Sequence, residues 1–182
     1  MSDLTITNAG ISVAKKTGGE VLSNNKKLNQ MKVDVIDVDP TNTDQACSNA
    51  EVIFQQAEIV NAVSVKGGAC ILQSITLLDD DDEGKAMDLI FTDTSLELDD
   101  SADGTAIDLS DANAGSILGV IRISDYMDGV NWQLAHKENC GLVLKAAAGS
   151  TSIYVSGVNR SGGAVTYNTT TDLHLKFGVV KD

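Results

Sequence analysis

The chain has 182 residues, with 13 basic and 26 acidic side chains and a formal net charge of -13. This length fits one domain with a proper hydrophobic core, and an apolar content of 42% is too high for a disordered chain. The negative charge argues strongly against a nucleic-acid partner, because phosphates would be repelled by most of the surface. No apolar run approaches the ~20 residues of a membrane helix, so no membrane partner is expected.

The composition favours β-structure. Aromatic residues make up only 4% of the chain, so the core must be built from Val, Ile, Leu and Ala, and Pro40 is the single proline. β-Branched residues joined by Gly, Asn, Asp and Ser turns suit sheets. The cysteines Cys47, Cys70 and Cys140 form no CxxC pair. Since no secretion signal is visible, we expect reduced thiols in a cytoplasmic product, with Cys70 packed inside a strand.

The first 30 residues show weak periodicity and are predicted to form an extended N-terminal arm with short edge strands, ahead of a single domain over residues 31–182. Residues 1–32 carry five lysines and two acidic residues, net +3, against 8 basic and 24 acidic residues, net -16, in the rest. Arm and body are therefore expected to meet different surroundings, although a polar arm that merely happens to carry lysines is an equally good interpretation. The candidate interface residues of the arm are Lys15, Lys16, Lys26 and Lys27.

The first strand of the body is predicted over residues 31–38. Its alternation places Met31, Val33 and Val35 on one face, which indicates a half-buried strand. The strand should stop at Asp39-Pro40, where an amide hydrogen is missing and a Thr-Asn-Thr-Asp turn follows. Residues 51–57 could form a strand or one helical turn, and a strand is favoured because the pattern continues from Ile59 onward.

Residues 59–91 then read as strand, Gly-Gly turn, strand, acidic loop and strand. The middle strand should bury one face, interrupted by Gln73, and the third strand alternates with period two. The acidic run of residues 79–83 is expected to sit on a solvated rim, because so much charge is costly to bury. The buried faces are predicted to comprise Ile71, Ile75 and Leu77 in the middle strand, and Met87, Leu89 and Phe91 in the third.

The remaining chain shows the same pattern of short strands separated by turn residues. Short strands are predicted within residues 94–111, a central strand over residues 120–123, and further strands at residues 142–144, 152–155, 164–167 and 173–177. No amphipathic helix is long enough to cross between parallel strands. The pattern therefore predicts an all-β chain folded as an antiparallel sandwich or barrel.

No constellation for catalysis or cofactor binding stands out. On a calcium-loop template Asp79, Asp81 and Glu83 fit the first positions, but Ile90 stands where a bidentate Glu is required, so we expect no metal there. The two histidines, His136 and His174, lack ligand spacing, and His174 fits a polar strand face. The serines lack a G-x-S-x-G context and the glycines lack a phosphate-binding motif, so no catalytic residue and no cofactor is predicted.

Aromatic residues are too scarce for a typical carbohydrate cleft, although two carboxylates of a glycosidase could hide among the acidic residues. Tyr126 and Trp132 are instead predicted to anchor a protein interface, for which Tyr and Trp are well suited.

Two stretches carry a family resemblance. One is Ala57-Glu-Ile-Val-Asn-Ala-Val-Ser-Val-Lys-Gly-Gly-Ala-Cys-Ile-Leu-Gln-Ser-Ile-Thr-Leu-Leu-Asp-Asp-Asp-Asp with Met87-Asp-Leu-Ile-Phe, and the other runs from Gly119-Val-Ile-Arg-Ile-Ser-Asp through Gly141-Leu-Val-Leu-Lys-Ala-Ala-Ala-Gly-Ser-Thr-Ser-Ile-Tyr-Val. They resemble the β-sandwich virion proteins of tailed bacteriophages, in particular the head decoration or cement proteins. The likeness covers roughly residues 55–180 and leaves the N-terminal segment uncovered.

This resemblance implies a jelly-roll-like sandwich and a non-enzymatic protein of the virion, assembled in the host cytoplasm. Its implied partner is the major capsid protein, which it would bridge on the outer capsid surface as a homo-oligomer, a trimer or a dimer. Three alternatives stay open: a tail, baseplate or fibre-base component, a carbohydrate-binding or carbohydrate-active sandwich, and a calcium-dependent adhesion module. A groove with facing carboxylates and Trp132 or a tyrosine would favour the carbohydrate alternative.

Overall fold

The computed structural model describes residues 6–8, 11–13, 32–99 and 104–181. The chain divides into two compact units, residues 1–32 and 33–182. In the first unit, β1 (Ile6–Asn8) and β2 (Ile11–Val13) pair as an antiparallel hairpin. The predicted extended course of the rest of the arm, with its lysines, lies outside the described residues.

The body is built from ten further strands and one helical turn, α1. None of the described helical segments has the length and apolarity to cross a membrane. In chain order the elements are β3 (Lys32–Val38), β4 (Val52–Ile59), β5 (Ala69–Asp79), β6 (Met87–Thr92), α1 (Asp111–Ala114), β7 (Ile117–Ile123), β8 (Tyr126–Asp128), β9 (Gln133–Lys137), β10 (Leu142–Lys145), β11 (Ile153–Asn159) and β12 (Leu173–Lys181).

The strands form two sheets, which confirms the predicted antiparallel sandwich. One sheet has the order β3-β12-β5-β9-β8, with β10 also paired to β5, and the other has the order β4-β11-β6-β7. Neighbours are thus β3 with β12, β4 with β11, β5 with β9 and β6 with β7. The chain therefore follows one long two-stranded ribbon that is wound across both sheets, which is the jelly-roll arrangement.

The core lies between the two sheets and is mostly aliphatic, as the composition predicts. Phe91 of β6 and Phe177 of β12 meet across it edge to face, with ring centroids 5.8 Å apart. Met87, Leu89 and Phe91 point into this core as predicted, and Cys70 is buried there as well. Burial of such side chains is the main favourable term in folding.

Part of the outer face of the four-stranded sheet is covered by the chain itself. Leu98, from the segment after β6, is fully buried in a second small cluster with Val52, Ile90 and Val158. The backbone amide of Leu98 donates to Oε1 of Gln55, a bond of 2.9 Å that fastens the segment to β4. All six residues of β6 are consequently buried, because both of its faces are covered.

Three strand predictions are wrong, each for a reason of tertiary context. Residues 94–99 and 104–110 form the cover just described rather than strands, apart from one bridge at Ala106. Residues 164–167 likewise make a single bridge, between Val165 and Cys47. The strand containing residues 120–123, β7, lies at the edge of its sheet and not at its centre.

The predicted buried face of β3 is also wrong. Val33 and Val35 are 73% and 61% exposed, whereas Val38, on the opposite face, is buried. Met31 lies outside the described residues. Alternation alone identifies the two faces of a strand, and the sheet decides which face turns inward.

The predicted inward face of β5 is wrong at Ile71, because the strand contains a β-bulge. Gly178 of β12 pairs with Ser74, and the next residue, Val179, pairs with Leu72, so Gln73 is an extra residue in β5. The inward set therefore changes from Cys70 and Leu72 before the bulge to Ile75 and Leu77 after it. Ile71 consequently lies on the outer face, which is the expected consequence of one inserted residue.

Gly157 of β11 is required by the packing of Phe54. The two residues are register partners, and a methyl group added to Gly157 would overlap the fully buried ring of Phe54. Because the ring is enclosed on all sides, it has no free space to move into.

We expect Gly157→Ala to lower the free energy of unfolding by about 2 kcal/mol through overpacking. Gly163→Ala is the matched control, since an added methyl group at Gly163 meets no atom within 4 Å. Urea unfolding of both variants measures the difference. Equal stability of the two variants would contradict the packing role of Gly157.

Candidate functional site

The outer face of the six-stranded sheet, hereafter the open face, carries several exposed apolar side chains. On β10, Val143 is 61% exposed and pairs with Ile71 of β5, which pairs in turn with Val180 of β12. Val33 and Val35 of β3 lie on the same face. These side chains form the valine row: Val143, Ile71, Val180, Val33 and Val35.

A second apolar row crosses the other end of the open face. Met127 of β8 is 57% exposed and pairs with Leu134 of β9, which pairs with Leu78 of β5. Leu134 and Leu78 are half-buried. These three residues form the methionine row.

Polar pairs fill the band between the rows. Lys176 of β12 binds Asp37 of β3, with Nζ and Oδ1 2.7 Å apart, and both side chains are mostly exposed. Beside them, Thr76 Oγ1 and His136 Nδ1 form a hydrogen bond of 2.8 Å. The open face therefore presents an apolar row, a polar band and a second apolar row.

His174 of β12 sits between two carboxylates at the methionine-row end. Its Nδ1 lies 2.8 Å from Oδ1 of Asp39, and its Nε2 lies 3.2 Å from Oδ2 of Asp80. The hydrogen bond to Asp39, together with the charges of both carboxylates, raises the pKa of His174 above its ordinary value. The position of His174 on a polar strand face confirms the sequence prediction.

The acidic run is only partly the solvated rim that the sequence predicts. Asp79 is 1% exposed, and its carboxylate accepts backbone N–H groups from Asp81 at 3.0 Å and Gly84 at 2.9 Å. Burial raises the pKa of Asp79 despite these bonds. Asp81 accepts two hydrogen bonds from Asn168, whereas Asp80 and Asp82 are exposed. The buried Asp79 carboxylate thus holds the loop in place through these two hydrogen bonds.

The two aromatic residues predicted to anchor an interface have different surroundings. Trp132 is 38% exposed and its ring lies over Gly129, where the turn of the β8–β9 hairpin closes through a bond from the Gly129 amide to the Trp132 carbonyl. Val130, at the tip of this turn, is 89% exposed. Tyr126 is turned inward instead, and its hydroxyl donates to the carbonyl of Lys85 at 2.9 Å.

The four arm lysines predicted as interface residues, Lys15, Lys16, Lys26 and Lys27, lie outside the described residues. Within the described ranges, no group of three or more His, Cys, Asp or Glu side chains could hold a metal ion.

A cavity lined by several acidic residues lies on the other sheet. It has a volume of about 450 Å³ and contains the carboxyl groups of Glu97, Asp99 and Asp108. The groove that would favour carbohydrate chemistry needs a tryptophan or tyrosine, and none lines this cavity among the described residues. Asp99 is moreover held by Gln55 and Thr105, at 3.1 Å and 2.8 Å.

The chain matches no family model, and no curated protein shows significant similarity to it.

The open face was not predicted from the sequence, although the sequence contains one signal for it. Leu142, Val143 and Leu144 form an uninterrupted apolar run, as do Leu77 and Leu78. Apolar residues on both faces of a strand indicate that both faces are covered. In the described structure one of these two faces, at Val143, is exposed.

The environment of His174 predicts a pH-dependent contribution to stability. Because its pKa is higher in the folded than in the unfolded state, the contribution is fully present below pH 6.5 and is lost as the pH rises through the raised value. Urea midpoints measured from about pH 5.5 to about pH 8.5 should fall less for His174→Gln than for the parent chain.

Lys176→Gln is the control, since Lys176 has a raised pKa and stays protonated throughout this range. It should lower stability slightly and leave the slope with pH unchanged. If the urea midpoint of His174→Gln falls with pH as steeply as that of the parent chain, the pH dependence does not come from His174.

Proposed function

We propose that this protein is a non-enzymatic virion structural protein of the capsid decoration type, which binds the outer capsid surface through the open face. The observation that carries the proposal is the pair of apolar rows. Three of their members, Val33, Val35 and Val143, are more than 60% exposed. Aligned apolar side chains of this kind mark surfaces that bind other proteins.

The contrast between the two sheets supports this choice of face. The chain uses its own segment around Leu98 to cover Val52, Ile90 and Val158 on the outer face of the four-stranded sheet. It has strands of the same kind on the six-stranded sheet but leaves the valine and methionine rows accessible. Each valine that a partner fully buries would contribute about 1.5–3 kcal/mol.

The dimensions of the open face suit a protein partner. Ile71 and Leu78, one in each row, are separated by seven positions along β5, or roughly 20 Å at the rise of an extended strand. A partner that contacts both rows must also cover the polar band with Asp37 and Lys176. Such a footprint approaches the ~800 Å² per partner of a standard interface.

The charge of the chain fits a protein present in many copies on one lattice. A net charge of -13 keeps free copies soluble and mutually repelling. The apolar rows then supply the attraction when the face meets its partner. We propose the major capsid protein as that partner and a homo-oligomer, a dimer or trimer, as the bound form.

The fold is compatible with this function but is not by itself evidence for it. Jelly rolls build viral capsid and lectin domains alike. Since one fold hosts many functions, the proposed function is supported by the open face and by the resemblance of residues 55–180 to phage decoration proteins.

We expect a positive charge on each of the two rows to weaken binding to the capsid. The double variant Met127→Lys/Val143→Lys should bind particles lacking the protein at least about tenfold more weakly, because both substitutions bury an ammonium group without a partner. The measurement is co-sedimentation with particles of the phage that carries this chain, after urea unfolding has shown that the variant is folded.

Val120→Lys is the matched control. Val120 is 53% exposed but lies on β7 of the other sheet, so this variant should bind like the parent. Parent-like binding by the double variant, or equal losses in both variants, would contradict the proposal. Binding confined to tails, at a few copies per particle, would identify the tail alternative.

A further inference from the structure

Strand β3 is attached to the body by little apolar surface. Of its seven residues only Val38 is buried, and Ile36 is partly buried. Its neighbour β12, by contrast, buries Leu173, Leu175, Phe177 and Val179 in the core. β3 forms one edge of its sheet, so its release leaves the pairing of β12 with β5 intact.

Side-chain pairs between carboxylates and cations accompany the backbone pairing of β3. Asp37 binds Lys176, and Asp39, directly after the strand, binds His174. Their side chains are 36–74% exposed. Ion pairs this exposed contribute little stability, because water screens both charges.

The third pair, between Asp34 and Lys181, is different. The Lys181 side chain is 3% exposed, and its Nζ lies 2.9 Å from Oδ2 of Asp34. The ammonium group also donates to the backbone carbonyl of Asn61. A buried ammonium group that loses its carboxylate is strongly destabilised, so this position on β12 requires an acidic partner.

The chain is anchored again just beyond β3. The side chain of Asn42 donates to the Thr169 carbonyl at 2.7 Å and accepts the Asp172 amide at 3.1 Å. The amide of Thr43 donates to the carbonyl of Ile53 at 2.8 Å. Asn42 and Thr43 are therefore held by hydrogen bonds that do not involve β3.

We propose that β3 is a releasable strand and that the edge of β12 beneath it is a strand-acceptor site, in which Lys181 selects an extended segment carrying a carboxylate. The occupant in an assembly is β3 of a second copy of this chain. Every copy carries a segment that matches the site in charge and length, and exchange of an identical element is a low-cost route to an oligomer. Strand addition of this kind is bonded mainly through the backbone.

This inference goes beyond capsid binding, and its test contains no capsid, so the two proposals fail independently. Hydrogen exchange followed by mass spectrometry on the full chain should show β3 amides exchanging at least about tenfold faster than those of β5. Equal protection of β3 and β5 would overturn the release of β3.

The acceptor site is tested with a fluorescent peptide of residues 32–41 and two full-length variants. Asp34→Asn removes the carboxylate that faces Lys181, and Asp37→Asn is the matched control at the exposed pair. Fluorescence anisotropy should show about tenfold tighter peptide binding to Asp34→Asn than to Asp37→Asn, because only the first variant lacks the charged partner of a buried ammonium group. A peptide with Asn in place of Asp34 should lose this advantage.

Equal binding to both variants, or equal binding of both peptides, would overturn the selection by Lys181. Native mass spectrometry tests the second copy as occupant. The parent chain should form dimers or larger species with rising concentration, and excess peptide should return them to monomers. A chain that stays monomeric, or an oligomer that the peptide does not dissociate, would overturn strand exchange.

Discussion

Strand β5 bonds to neighbours along both of its edges, and the rest of the six-stranded sheet is positioned by it. β12 follows it along one edge, while β10 and β9 share the other. The extra residue at Gln73 changes which side chains face the core partway along the strand. Ile71 is turned outward in this way, and it links Val143 to Val180 in the valine row. The open face thus depends on one inserted residue in the central strand.

The apolar residues on the outer faces of the two sheets have different surroundings. Each has apolar residues on its outer face, and apolar surface in water is unfavourable. The four-stranded sheet is covered by the segment around Leu98, which adds a second small cluster to the core. The six-stranded sheet keeps its rows exposed at Val143 and Met127. In the proposed function a partner protein completes the second face as the chain itself completes the first.

The open face and the edge at β3 offer two distinct contacts. Val33 and Val35 belong to the valine row, so a partner seated on the open face also contacts β3 from outside. The inner side of β3 meets β12 mainly through Val38 and the pair between Asp34 and Lys181. Exchange of β3 between copies would preserve the valine row, because the same residues return to the same sheet. Oligomerisation and docking are therefore compatible in one assembly.

The sequence by itself determined the fold class, since alternating β-branched strands with Gly and Asn turns leave no helix for a parallel crossover. It also identified β12, the polar position of His174 and the inward residues of β6, because those follow from alternation within one strand. Tertiary structure decided which face of β3 turns inward, that Asp79 is buried, and that residues 94–99 and 104–110 form a cover instead of strands. These features depend on contacts between residues far apart in the chain. A period of two separates the faces of a strand, but only the neighbouring strands and loops determine which face is exposed.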